Sequence, residues 1–279
     1  MNLPKIHSIT KKLFVALVGG FLLLFLLFHM TANLFILRHD GGQWYSDFCH
    51  FMGTNWVVKI FEIGLLGFIA LHILLTVWLA ITNRLARPTR YHQRSKSKTH
   101  PGSKLMMWTG ILIFACLALH FYDFYMVKIG VVKGQYMVSV ENIGKAMQEQ
   151  PNAMFDEEVI GFLDKIQKSG QLSMGSGMIH HLTYEDKETL KRLLPGSDPE
   201  PDFYYMAREK FSHLHIVIGY LVFFLVVFFH LRHAFPSAFQ TLGLNNYKYN
   251  PIIEALGKIY TWVITLGFAA VPILVYLGL

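Results

Sequence analysis

Five apolar runs dominate this sequence, and each is long enough to cross a lipid bilayer, which takes about 20 apolar residues in a helix. They cover residues 13–37, 57–82, 105–127, 211–233 and 256–278. The chain is 53% hydrophobic and only 15% charged, whereas soluble domains average roughly 25% charged residues. The sequence therefore predicts an all-α membrane protein, a bundle of five transmembrane helices whose main surroundings are the lipid bilayer, with no nucleic-acid partner.

Basic residues in the short connections predict the orientation, because Lys and Arg stay on the cytoplasmic side. The loop 83–104 is rich in both, and lysines also precede the first run, whereas the loop 38–55 carries a single arginine. We therefore expect a multi-pass protein of the bacterial cytoplasmic (inner) membrane with a cytoplasmic N-terminus. The long polar connection 128–210 is then extracytoplasmic. The basic loop is equally suited to docking a soluble partner.

The start of the chain and its cysteines narrow the possibilities further. The first apolar run is long enough to span, so we predict a retained helix rather than a cleaved signal peptide. The chain has two cysteines, Cys49 and Cys116, and no CxxC or CxxCH motif. Neither a cysteine-held metal cluster nor a covalently attached haem is supported.

Four of the apolar runs each contain a histidine deep inside, where a polar side chain is costly and usually functional. These residues are His29, His72, His120 and His230, and the fifth run has none. One such histidine alone is explained by a hydrogen bond across the bundle. Four of them on four helices favour two pairs of axial ligands for two b-type haems.

Helix geometry assigns His29 and His120 to one depth. A helix rises about 1.5 Å per residue, so His29 lies about 25 Å beyond Lys12 at the cytoplasmic end. His120 lies about 24 Å beyond Lys104 by the same rise. Both are predicted in the outer leaflet, where they would hold the outer haem.

The same reasoning assigns the other two histidines to the inner leaflet. His72 lies about 24 Å below Trp56, and His230 about 28 Å below Phe211. These two are predicted to hold the inner haem. Two imidazoles on each iron leave no open position, so each haem would transfer single electrons rather than bind a substrate.

Small residues near the ligands would leave room for a bulky macrocycle. The glycines concerned are Gly19, Gly20, Gly64, Gly67, Gly110 and Gly219. Close packing of helices explains each of them equally well.

With these positions in place, the chain resembles the single-subunit, five-helix, dihaem cytochrome b membrane anchor of succinate dehydrogenases and menaquinol:fumarate reductases. The similarity covers about 1–128 and 206–279. The matching stretches are HMTANLF (His29, with Asn33 one turn on), FCHFMG (His50), ALHILLTVW (His72), TGILIFACLALHFY (His120) and HLRHAFPSAFQTLGL (His230). His233, three residues beyond the last ligand, is interpreted as a neighbour of that ligand or of a haem propionate.

The resemblance implies an anchor that docks a flavoprotein and an iron–sulfur subunit on the cytoplasmic face. FAD and iron–sulfur clusters would belong to those partners, as would the dicarboxylate chemistry. This chain would hold two haem b groups and pass electrons between the iron–sulfur subunit and a quinone, usually menaquinone. The same anchor serves both directions of the succinate–fumarate couple.

Two departures from the family and two other functions bear on this interpretation. Some members place a glutamate of a proton path where this chain has Phe228, and the segment 129–205 has no counterpart in the family. One alternative is the dihaem subunit of a hydrogenase or formate dehydrogenase. Another is a haem-free transporter, but no inverted repeat or pair of broken helices stands out.

Quinone chemistry needs a proton donor, and four ionisable residues are predicted near the outer end. The candidates are Asp47, His50, Glu62 and Asp123. Each also has a structural explanation. Asp47 could cap a helix or a loop, Asp123 could bind His50 or a lysine, and Glu62 could pair with Lys59 or Arg38.

The polar insertion 129–205 separates a region of three spanning helices, 1–128, from a region of two, 206–279. Acidic residues outnumber basic ones within it, and its pattern predicts two or three short amphipathic helices that cap the outer haem end. Acidic residues at 156–158 suit a helix start, and Thr183 is predicted to cap another helix. His180 and His181 could bind a metal, but their adjacency favours exposed loop residues.

Overall fold

The computed structural model describes residues 8–86, 101–168, 177–244 and 246–279, and it is 80% helical. Five of its helical stretches are long and apolar enough to span a membrane. They are Ile9–Leu37, Trp56–Leu85, Leu105–Lys128, Leu214–Thr241 and Asn250–Tyr276. Within the described residues, the prediction of five helices long and apolar enough to span a membrane is confirmed.

The elements follow one another mostly as helices. The α-helices are α1 (Ser8–Leu34), α2 (Gln43–Thr54), α3 (Trp56–Leu85), α4 (Pro101–His120), α5 (Met126–Lys128), α6 (Val140–Glu149), α7 (Glu157–Lys168), α8 (Tyr184–Leu193), α9 (Phe203–Phe211), α10 (Leu214–Thr241) and α11 (Asn250–Tyr276). The strands are β1 (Tyr136–Ser139), β2 (Met178–Leu182) and β3 (Glu200–Pro201). A π-helical turn, Phe121–Tyr125, joins α4 to α5.

The fourth span differs from its predicted limits of 211–233. Residue 211 ends the separate helix α9, which Ser212 closes by donating its hydroxyl to the Glu209 carbonyl at 2.7 Å. Helix α10 then starts at Leu214 and continues through Pro236 to Thr241. Hydropathy located the apolar stretch, but helix ends depend on these backbone and hydroxyl hydrogen bonds.

The chain divides into two compact units. The first unit comprises Met1–Leu34, Thr54–Cys116 and Ile218–Pro272, and it contains most of the five spans. Helix α1 packs along α3, and Met30 packs with Ile264 in a small core that α1 shares with α10 and α11.

Helices α1 and α11 approach each other closely in that core. A Cβ at Gly267 would collide with Met30 Sδ, so glycine at that point of α11 leaves room for the Met30 side chain. Tyr260 strengthens the contact by donating its hydroxyl to the Leu23 carbonyl at 2.6 Å. Helices α1 and α11 are therefore joined by both apolar packing and a hydrogen bond.

The second unit comprises Phe35–Gly53, Leu117–Val217 and Ile273–Leu279. Its centre is a three-stranded antiparallel sheet in the order β2-β1-β3. Helices α6, α7 and α8 contribute to a buried core with the sheet, in which Leu182 and Leu190 are fully buried. The expected short helices are present, but the prediction missed the sheet because β1 shows no alternation of buried and exposed residues.

The helix starts in the insertion are confirmed. Helix α7 begins at Glu157, and the Asp156 carboxylate accepts the Glu158 amide at 2.8 Å. Thr183 caps α8 through a reciprocal pair of bonds, in which its hydroxyl oxygen accepts the Asp186 amide and the Asp186 carboxylate accepts the Thr183 amide. Both motifs satisfy donors that a helix start leaves unpaired.

Candidate functional site

Each of the four predicted ligands lies on a different spanning helix. His29 is on α1, His72 on α3, His120 at the last residue of α4, and His230 on α10. All four imidazoles are half-buried rather than enclosed by protein. His72 and His230 both belong to the first unit.

The His230 imidazole is held by a neighbouring helix. Thr109 on α4 places its hydroxyl oxygen 3.1 Å from His230 Nδ1. Thr109 is 9% exposed, so this contact is shielded from solvent. With Nδ1 in that contact, Nε2 is the nitrogen that His230 can offer to a metal.

The His72 imidazole is placed differently. Its Nδ1 is buried and has no hydrogen-bond partner among the described residues. Thr76 lies one turn on, but its hydroxyl donates to the His72 backbone carbonyl at 2.8 Å. A buried nitrogen without a partner is costly, and a bound group at this imidazole is one way to offset that cost.

Two of the six glycines face these imidazoles. A Cβ at Gly19 would lie 3.8 Å from His72 Cε1, and one at Gly110 would lie 3.8 Å from His230 Cε1. A Cβ at the other four would meet nothing within 4 Å; these are Gly20, Gly64, Gly67 and Gly219. Those four therefore do not mark close helix packing within the described chain.

The surroundings of His29 in the first unit are aromatic. Its ring stacks on Phe25 with centroids 5.2 Å apart, and Phe268 on α11 is 5.7 Å away. The Asn33 amide donates to the His29 carbonyl at 2.8 Å and stands 3.4 Å from its Nδ1. The motif HMTAN thus places an amide beside the imidazole one helical turn away.

His120 lies in the second unit, directly before the π-helical turn. Such turns are rare and frequently occur at functional sites. The turn carries Phe124, whose ring centroid is 5.2 Å from the His120 ring. It also carries Asp123, which accepts a hydrogen bond from Lys210 Nζ at 2.5 Å. A lysine is one of the two partners predicted for Asp123, and the structure identifies it as Lys210.

Two of the other three quinone candidates, Asp47 and His50, share helix α2, whereas Glu62 is on α3. Asp47 is exposed in the interior of α2, so it does not cap that helix. His50 on the same helix pairs with Glu200 of β3 at 2.5 Å, a partner that the sequence did not predict. Glu62 is half-buried on α3 in the first unit.

A cavity of about 530 Å³ in the second unit lies against the Asp123–Lys210 pair. Gln135 and Tyr184 also line it, and Gln135 donates to Glu209 at 2.6 Å. The Gln135 side-chain oxygen is buried without a partner in the described chain. The cavity can therefore offer a carboxylate and an ammonium to a polar ligand.

Phe228 occupies the position of the glutamate that some members of the resembled family carry. Its ring packs against Trp262 of α11 with centroids 4.7 Å apart. The contact is apolar and offers no group that could exchange a proton.

Histidines 180 and 181 overturn one expectation. They lie on β2, not in a loop, and His180 is 1% exposed. Its Nδ1 is 2.9 Å from Asp202, which also caps α9. The prediction of exposed loop histidines is wrong for His180, because the missed strand turns this side chain into the core.

The inner pair fits the ligand set of a b-type haem. Such a haem needs two imidazole nitrogens from the protein, since the porphyrin supplies the remaining ligands to iron. Within the described ranges, no group of three or more His, Cys, Asp or Glu side chains could hold a metal ion by itself. Two nitrogen donors, small residues beside them and a fixed Nδ1 on His230 suit that cofactor.

No protein-family model matches the chain, and neither a curated protein nor a solved structure matches it.

Proposed function

We propose that this chain is the membrane-anchor cytochrome b subunit of a succinate:quinone oxidoreductase, a succinate dehydrogenase or fumarate reductase. It would hold two bis-histidine haems, and these would supply one-electron transfer between an iron–sulfur subunit and (mena)quinone. The observation that carries the proposal is that His72 and His230 both belong to the first unit, and that each imidazole is faced by a glycine whose Cβ would lie 3.8 Å from its ring.

Support for the inner pair comes from its immediate surroundings. Thr109 engages Nδ1 of His230, so the opposite nitrogen is available for iron. Metal-bound histidines usually have their second nitrogen engaged in this way. Gly19 and Gly110 keep side chains away from the two rings.

Support for the outer pair comes from helix depth. Along the sequence, His29 and His120 lie at about the same helical rise from the predicted cytoplasmic ends of their apolar runs. The basic residues at those ends would face the flavoprotein and iron–sulfur partners. Their positive charge suits an acidic docking surface.

The quinone would react at the cavity beside the Asp123–Lys210 pair. Asp123 is three residues beyond His120, close along the chain to an outer ligand. A carboxylate paired with an ammonium can hold and release a proton at the quinone oxygen.

The test is a reduced-minus-oxidised absorption spectrum of the purified protein with its haem content. Two b-type haems per chain, together with co-purified flavin and iron–sulfur subunits, are expected. The absence of b-type absorption would overturn the proposal. Two haems with a different catalytic partner would instead indicate a hydrogenase or formate dehydrogenase subunit.

A further inference from the structure

The inner histidines differ in what holds them. His230 has Thr109 at its Nδ1, whereas Nδ1 of His72 is buried with no partner among the described residues. Two chemically identical ligands on one iron would therefore be oriented by different means. The difference identifies Thr109 as the side chain that distinguishes them.

The proton of the Thr109 hydroxyl already has acceptors. Its oxygen lies 3.2 Å from the Leu105 carbonyl and 3.0 Å from the Met106 carbonyl, one turn back on α4. A threonine hydroxyl has a single proton but two acceptor lone pairs. With the proton directed to a carbonyl, the oxygen is left to accept a hydrogen bond.

We propose that Thr109 is a positioning residue that accepts a hydrogen bond from His230 Nδ1–H, and so fixes the tautomer and ring orientation in which Nε2 faces the inner haem iron. The inference rests on the proposed function, because it concerns how this chain tunes that haem. The buried position of Thr109 protects the bond from exchange with water.

The bond also has an electronic consequence. A hydrogen bond from Nδ1–H makes the imidazole a stronger donor to iron, which stabilises the oxidised state and lowers the reduction potential. Thr109 therefore holds the potential of the inner haem below the value that an unsupported histidine would give. The outer haem has no such dependence on Thr109.

The experiment compares three variants of the assembled, haem-loaded protein. Thr109→Val removes the hydroxyl but keeps the shape, and Thr109→Ser keeps the hydroxyl. Thr265→Val is the matched control, because Thr265 is 7% exposed and donates to the carbonyls of Thr261 and Trp262 on the histidine-free helix α11. Redox titration resolves the two midpoint potentials, and electron paramagnetic resonance of the oxidised haems reports the ligand orientation.

In Thr109→Val, the equilibrium constant for reduction of one haem should rise about tenfold. For one electron, this raises its midpoint potential by about 59 mV. Its resonance should shift, the other haem should stay unchanged, and Thr109→Ser and Thr265→Val should behave like the wild type. Loss of one haem in Thr109→Val alone also supports the inference.

Three results would overturn it. They are unchanged potentials in haem-loaded Thr109→Val, equal shifts of both haems, or the same shift in Thr265→Val. A wild-type protein without b-type absorption would instead overturn the proposed function and this inference together. The two failures are therefore distinguishable.

Discussion

The most apolar regions of this chain have the fewest enclosed side chains, while its most polar segment has a dense core. Within the apolar stretch of each spanning helix, the fraction of residues buried inside the protein runs from 0% in α3 to 33% in α11. In the second unit, residues such as Val159, Leu182 and Leu190 are at most 1% exposed. The most hydrophobic segments of this protein are therefore not the ones with the most densely packed core.

The difference follows from the surroundings of each region. Lipid tails are as apolar as leucine, so moving an apolar side chain from lipid into a helix interface gains little free energy. Their association depends on close contacts, hydrogen bonds and bound groups. The insertion is built of amphipathic helices and short strands, and it gains stability by removing apolar side chains from water.

The largest expected effect on the first unit comes from removing one of its proposed haem ligands. His72→Leu should abolish one of the two haems and loosen the helices that it joined. A tightly bound cofactor stabilises by about 4 kcal/mol at a thousandfold excess over its dissociation constant. Haem content and amide hydrogen exchange in the first unit would report both effects.

The matched control for that variant is His215→Leu. His215 is an exposed histidine on α10, and the change should leave both haems in place. Retention of both haems in His72→Leu would contradict the pairing of His72 with His230.

The second prediction concerns the core of the second unit. Leu190→Ala should destabilise this unit by about 2 to 5 kcal/mol, because it leaves a cavity in a closed core. Leu74→Ala should cost much less, since Leu74 is 68% exposed on α3. Urea unfolding followed by limited proteolysis of the insertion would measure the difference. An equal loss of unfolding free energy in the two variants would contradict the difference in packing between the units.

The third prediction concerns Asp123, which lies just beyond His120, and its proposed role in quinone turnover. Asp123→Asn should slow quinone turnover at least about tenfold, in line with the loss of a proton-transfer group, and both haem spectra should be unchanged. Asp164→Asn removes the carboxylate of an exposed pair with Lys168 in the same unit, and it should have no effect. Normal turnover in Asp123→Asn would remove this cavity from the mechanism.

The fourth prediction is smaller and concerns a helix start in the insertion. Thr183→Ala should destabilise the second unit by about 1 kcal/mol, because it removes the cap of α8. Thr183→Ser should keep most of that stability. Hydrogen exchange of the first amides of α8 would show whether the loss is local.

The last prediction concerns the reactivity of Cys49 in the second unit. Burial, together with the nearby carboxylates of Asp202 and Glu200, raises the pKa of the Cys49 thiol to about 12, despite a hydrogen bond with Tyr45 that lowers it. Only about one thiol in ten thousand is then ionised at pH 8, and the thiolate is the reactive form. The alkylation rate of Cys49 in a Cys116→Ser background should rise tenfold per pH unit through pH 10.

A rate that levels off near pH 9 would contradict the buried position of this thiol. The unfolded chain provides the control, because its exposed thiol should react at the rate of an ordinary cysteine.

Side-chain pairing marks the limit of prediction from the sequence. The spans and the Thr183 cap were predictable, because each depends on residues close along the chain. The pairs His50–Glu200 and Asp123–Lys210 were not, since each joins residues that are distant in sequence. Thr109 carried no signal of its own, because a threonine inside a span ordinarily bonds its own helix.

The sequence is sufficient to predict five helices long and apolar enough to span a membrane, four of which each carry a histidine. Those properties follow from hydropathy and helical rise, which are local. The three-dimensional fold was needed to show that His230 contacts Thr109, that His180 is buried, and that a small sheet organises the insertion. These facts depend on which distant segments share space, and a residue pattern along one segment does not encode that.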